Sequence, residues 1–191
     1  MRIIQFIKKE YESVSKIFLN FIINFLPNDY LSNNYFRPAL CRIVGMQCGA
    51  KITIQKHVFF VKPKNISIDR NSKICRGTYI DAVDMVRIGK NVCIGFQTTL
   101  TTASHEIGDQ EDRCGPIIGK PITIDSGCWL GAGTLIGPGV YIGPGSIISA
   151  GSIVLKDMPE NSYIAGNPAR IVRKLDYTCM NTPKKEYGIE N

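Results

Sequence analysis

Of the two histidines in this chain, His105 stands in Thr101-Thr102-Ala103-Ser104-His105-Glu106, at the head of a polar run that continues through Asp109, Asp112 and Arg113. A neutral imidazole takes up a proton near pH 7, so His105 is the candidate general base. His57 lies between Lys56 and Val58 and reads as a surface residue. A second kind of chemistry is suggested by Lys156, Arg170 and Arg173, cations of the type that surround phosphates. Trp129, the single tryptophan, falls at an outward position of a regular repeat, where it either packs on a neighbouring subunit or walls a ligand groove.

Several other chemistries find no support. Neither G-x-x-x-x-G-K-[ST] nor G-x-G-x-x-G occurs in a strand–helix setting, and no spaced carboxylate pair suits glycoside hydrolysis. The seven cysteines are odd in number, widely spread and without a C-x-x-C pair, so they read as reduced, mostly buried small hydrophobes of a cytosolic protein. A formal charge of +7 would attract nucleic acid, an anionic membrane or a phosphorylated ligand. No nucleic-acid motif accompanies it and the Lys/Arg are scattered, which favours a phosphate-bearing small molecule.

The elements that must position these residues follow from one period. Ile118, Ile124, Leu130, Ile136, Ile142, Ile148 and Val154 stand six apart, and the next residue is Gly at 119, 131, 137 and 143. Neither a helix nor an alternating strand has that period. It fits a chain that turns a corner every sixth residue, so that a triangular coil takes about eighteen residues. Glycine after the aliphatic residue suits a tight corner or a close backbone approach. Ile68, Ile74 and Ile80 keep the step, and so do Ile88, Ile94 and Leu100, two residues out of phase, which places a bulge around 81–87. The polar segment 104–116 is a second break, and a polar loop leaving a solenoid is a natural place for function. The period leaves the handedness of the coil open.

Outside the solenoid, Ile4, Ile7, Tyr11, Val14, Phe18, Phe21 and Phe25 line one face of a helix that Pro27 ends. Lys8, Lys9, Glu10, Glu12 and Lys16 interrupt its apolar run, so it does not cross a bilayer unaided. It either packs on the coils or a neighbouring subunit, or lies on an inner membrane face. Residues 1–43 thus form an N-terminal helical segment and bent connector. The β-helix occupies 44–175, with a short capping strand or helix from Ala169 to Leu175, and 176–191 is a tail.

Taken together, the loop with His105 and Arg113, Pro121–Ile124 leading to Cys128–Ala132, Gly137–Gly143 leading to Ala150–Ser152, and Ala165–Arg170 resemble the left-handed β-helix acyltransferases. The similarity is to the branch containing maltose, galactoside, xenobiotic and surface-polysaccharide O-acetyltransferases, and it covers about residues 44–175. The resemblance implies an all-β fold, a left-handed parallel β-helix. It further implies a homotrimer that binds acetyl-coenzyme A between adjacent subunits and needs no metal. By the same resemblance His105 matches the catalytic base, and Trp129 and Ala132 match positions along the pantetheine arm. Ala150, Lys156, Arg170 and Arg173 match the part that holds the nucleotide and its phosphates, and Asp84 lies roughly where the acceptor hydroxyl is held. The implied reaction is direct acetyl transfer to a sugar hydroxyl, expected in capsule, O-antigen or exopolysaccharide biosynthesis. Xenobiotic O-acetylation and a non-enzymatic trimeric scaffold remain as rivals, and a three-histidine zinc site is poorly served by two histidines. The expected location is the cytoplasm, with residues 1–26 touching the inner membrane face, and no nucleic-acid partner.

Overall fold

The computed structural model describes residues 17–176. Three parallel sheets run the length of a solenoid, and each coil contributes one short strand to each of them. The first sheet stacks Gln47–Cys48, Ile66–Ile68, Val86–Ile88, Ile122–Ile124 and Tyr141–Ile142. The second stacks Thr53–Ile54, Lys73–Ile74, Cys93–Ile94, Trp129–Leu130, Ile147–Ile148 and Ser162–Gly166, with Ala169–Lys174 antiparallel at its end. The third stacks Phe59–Val61, Tyr79–Asp81, Thr99–Thr101, Leu135–Ile136 and Ile153–Val154. These are faces one, two and three of a triangular prism.

Registers give the coil lengths. Ile54 pairs with Ile74 and Ile74 with Ile94, so the early coils take twenty residues, whereas Leu130 pairs with Ile148, eighteen residues on. The two extra residues sit in the corner from face three to face one. That corner is a 3-10 turn at Pro63–Asn65 in the first coil and the 82–85 segment in the second. The polar excursion leaves the same corner after the third coil as an antiparallel hairpin, Ala103–Ile107 against Cys114–Gly119. Ile118 therefore belongs to the hairpin, paired with Ser104, and the inward series of that coil begins at Ile122 and Ile124.

Two residues per strand point into the core. Besides the aliphatic at each repeat, the residue two before it is buried: Ile52 before Ile54, Thr98 before Leu100, Cys128 before Leu130, Ser146 before Ile148. The polar members are paired with backbone, Thr98 Oγ1 donating to the Gly95 carbonyl and Ser146 Oγ to that of Pro159. A buried hydroxyl must find such a partner. At the regular corners of the coils the residue three before the aliphatic has positive φ: Gly127, Gly133, Gly139, Gly145 and Gly151 late in the chain, but mostly non-glycine early, at Lys51, His57, Asn71, Asn91 and Gln97 beside Gly77. The glycines that follow the aliphatics serve close approach. A Cβ on Gly131 would stand 2.4 Å from the Ala150 nitrogen.

The open N-terminal end is closed by helices. Residues 17–25 are helical, and a second helical stretch runs through the π-turn Ser32–Phe36 into Arg37–Ile43, so the segment expected as a bent connector is largely helix. Leu19 and Ile23 face the core, while Phe18, Phe21 and Phe25, expected to form the packing stripe, are exposed. The reason is polar: Asn20 and Asn24 share the face of Ile23 and act as a surrogate strand. Asn20 donates to the Phe60 carbonyl and accepts from its N–H, and Asn24 accepts from the His57 N–H, which pairs the otherwise open edge of the first coil. Ile4, Ile7, Tyr11 and Val14 lie outside the described residues. Arg37 is fully buried and donates to the carbonyls of Ile23, Leu26 and Pro27, closing the end of that first helix.

Candidate active site

The hairpin holds His105. Its Nδ1 lies 2.7 Å from the Gly115 carbonyl oxygen across the two strands. A carbonyl can only accept, so Nδ1 carries the proton and Nε2 keeps a free lone pair, the tautomer a base requires. The ring is exposed in the single chain. Asp84 sits at the root of the same hairpin. Its backbone N–H donates to Thr102 Oγ1, its carboxylate accepts from the Met85 N–H, and its Cβ abuts Gly119, where an added Cβ would come within 2.8 Å. Ala103 is paired with Gly119 and His105 with Ile117, so Asp84 and His105 share one edge of the prism.

The other sequence-derived residues gather elsewhere. Face two carries a groove of about 490 Å³ lined by Trp129, Ala132 and Ala150 together with Cys75, Cys93, Phe96, Ile147 and Tyr163. Its construction follows from the repeat. The residue before each aliphatic points outward and makes one wall: Cys93, Trp129, Ile147, Tyr163. The residue two after the aliphatic makes the other: Phe96, Ala132, Ala150. With strands about 4.8 Å apart, five coils give a channel about 20 Å long, parallel to the solenoid axis. The alanines leave it open where larger residues would fill it. Trp129 opens the two-residue strand Trp129–Leu130 and is half exposed in the wall of the channel.

Arg170 and Arg173 lie on the final strand, opposite Ala165 and Tyr163, and the Arg173 guanidinium sits 5.4 Å above the Tyr163 ring at the C-terminal mouth of the groove. Lys156 is not beside them. It follows Ile153–Val154 of face three and leads to Met158, which bridges to Ile142 on face one, so it stands on the edge that bears the hairpin. Cys75, Cys93, Phe96 and Tyr163 escaped the sequence reading. Their common address in the repeat was the available signal, but it needs the register of the coils to be seen. Burial pushes the Cys75 thiol up, and the Cys128 thiol to about 11, so both are protonated at neutral pH. The six cysteines among the described residues are free, three of them buried, and Cys179 lies outside those residues.

Within one chain these two groups are separated by the core. The groove is on face two, and the hairpin projects from the corner between faces three and one, the vertex opposite that face.

Known proteins share this architecture. The family model described as "Bacterial transferase hexapeptide (six repeats)" matches residues 121–156. The galactoside O-acetyltransferase of Escherichia coli K12 is 34% identical over 155 residues, which are 81% of this chain and 76% of that protein. A crystallised galactoside acetyltransferase in complex with coenzyme A superposes with a TM-score of 0.82 at 28% identity, covering 95% of this chain and 90% of that one. A hexapeptide-repeat acetyltransferase from Vibrio cholerae complexed with acetyl-coenzyme A gives a TM-score of 0.72 at 29% identity, over 87% and 88% of the two chains.

Proposed function

From a chain that belongs to the galactoside O-acetyltransferase family of hexapeptide-repeat transferases, we infer an enzyme that moves an acetyl group from acetyl-coenzyme A to a sugar hydroxyl at sites shared between copies of itself. The observation that carries the shared site is the separation just described: base and groove stand on opposite sides of one prism, so the groove of one copy must receive the hairpin of the next. A closed ring of copies satisfies every groove and every hairpin at once, and a homotrimer is the ring that three-sided prisms form most simply. In this arrangement Lys156 arrives with His105 from the second copy and joins Arg170 and Arg173 of the first around the coenzyme phosphates. The pantetheine arm lies between Trp129 and the alanines Ala132 and Ala150.

The steps follow from the tautomer. His105 Nε2 takes the proton of the acceptor hydroxyl as its oxygen attacks the thioester carbonyl. The tetrahedral adduct collapses, the C–S bond breaks, and the imidazolium returns its proton to the leaving thiolate. Asp84, at the root of the hairpin, holds the acceptor hydroxyl in reach. The test combines two measurements. Acetyl-coenzyme A should bind in calorimetry to both wild type and His105→Ala, while His105→Ala should lower kcat by about 10²–10⁴-fold. Near-normal turnover by the variant would remove His105 from this role.

The sugar belongs, in this reading, to surface-polysaccharide biosynthesis in the cytoplasm. What supports it is the galactoside-modifying relative together with the exposed stripe Phe18, Phe21 and Phe25 on a chain of charge +7. Such a stripe suits contact of residues 1–26 with an anionic membrane surface, near lipid-linked sugars. No helix among the described residues is long and apolar enough to cross a bilayer. In flotation with vesicles containing anionic lipid, the protein should rise with the vesicles. If it stays at the bottom, the membrane part of the reading is lost.

A further inference from the structure

The groove on face two is not uniform along its length. Its outer columns are apolar from the third coil onward and become cationic toward the N-terminal end. The column that holds Ala150, Ala132 and Phe96 continues to Arg76 and Lys56, and the column that holds Trp129 and Cys93 continues to Lys73. Register fixes these neighbours, since Lys73 pairs with Cys93 and Cys93 with Trp129. The Arg76 guanidinium lies 5.2 Å above the Phe96 ring, itself a wall of the groove. Stacking holds the planar cation in place without using its N–H donors. Among the described residues that guanidinium has no hydrogen-bond or ion-pair partner. The face-two stretches of the first three coils, 50–57, 70–77 and 90–97, contain no Asp or Glu.

The direction of the coenzyme decides what this end is for, and that step rests on the shared-site reading above. A ring of copies about one axis parallel to the prisms keeps all of them at the same height. The hairpin leaves between the third and fourth coils, so the neighbour's His105 meets the groove near Phe96 and Trp129. The apolar channel runs from there toward Tyr163 and Arg173, and takes the arm and the nucleotide. The acceptor hydroxyl therefore approaches from the remaining side, the side of Arg76 and Lys73.

We infer that the acceptor is an anionic sugar, whose carboxylate or phosphate is held by Arg76 and Lys73 while its hydroxyl faces the thioester. A neutral sugar would leave Lys73 and the stacked Arg76 without an anionic partner on this face of their own chain. An anion gains charge-assisted, bidentate pairing with the guanidinium.

Calorimetry on the coenzyme A-loaded protein tests this with glucose, glucuronate and glucose 6-phosphate, the last two separating carboxylate from phosphate. At least one of the anionic sugars should bind about tenfold more tightly than glucose, and the paired change Lys73→Gln with Arg76→Gln should remove that advantage without altering coenzyme A affinity. Equal affinity for all three sugars, absence of binding by both anionic ones, or an advantage that survives the paired change would overturn the inference. Failure to bind coenzyme A in the first place would strike the acetyltransferase reading instead, so the two failures are told apart.

Discussion

At His105, one hydrogen bond sets the tautomer that the proposed base requires. The Gly115 carbonyl claims the Nδ1 proton and leaves Nε2 basic, and the carbonyl is fixed because Gly115 lies in the facing strand of the hairpin. Position in the polar run 104–113 marked His105 as the candidate base. The partner ten residues on was not, because nothing in the spacing shows that the excursion folds back as strands. Trp129, Ala132 and Ala150 were recognisable by resemblance, whereas Phe96, Tyr163 and Arg76 were hidden, since each acts through a neighbour a full coil away. The cysteines raise a sharper question, because Cys75 and Cys93 line the groove where a thioester would lie. Burial keeps the Cys75 thiol protonated and a poor nucleophile. Intact-mass measurement after mixing with acetyl-coenzyme A should accordingly show no added acetyl group. A stable acetyl adduct on Cys75 or Cys93 would replace direct transfer with a covalent route.

At the scale of the element, two columns of glycine have different physical duties, and a pair of substitutions separates them. Gly131→Ala places a Cβ 2.4 Å from the Ala150 nitrogen, against backbone that cannot yield without parting two coils. Gly133 has φ +67° and nothing within 4 Å of the new Cβ, so Gly133→Ala meets only the left-handed backbone cost. Urea unfolding should report a loss of about 3 kcal/mol or more for Gly131→Ala and about 1–2 kcal/mol for Gly133→Ala. Equal losses would mean that the after-aliphatic glycines do not set the coil spacing. The six-residue step announced the strands because the inward residue is aliphatic from Ile54 to Val154 save at Phe60. It misplaced the start of the regular run at Ile118, a hairpin residue that happens to keep the step. It also missed the second inward slot, where Thr98, Ser146 and Ser152 hide burial behind hydroxyls paired within the stack. The positive-φ corners were obscured early in the chain, where Lys51, His57 and Asn71 stand in for glycine. The stripe Phe18, Phe21 and Phe25 was readable as amphipathic, but the face that docks is defined by Asn20 and Asn24, whose amides mimic a strand and leave no hydrophobic trace.

On the scale of the whole molecule, a prism with His105 on one vertex and its groove on the opposite face is, in the proposed ring, half of two active sites. All three corner extensions, at 62–65, 82–85 and 103–119, stack on that one vertex, so His105 and the irregular turns share an edge while the other two edges keep the six-residue step. The shared site is tested most directly by mixing two inactive variants: His105→Ala, which keeps the groove, and Ala150→Trp, which fills the groove and keeps the hairpin. Co-expressed in equal amounts, they should form mixed rings in which about a quarter of the sites pair an intact groove with an intact base, and acetyl transfer should return to about that fraction of wild type. Mixed rings that form and stay inactive would contradict the account, because they would place the base and the groove of each site in one chain.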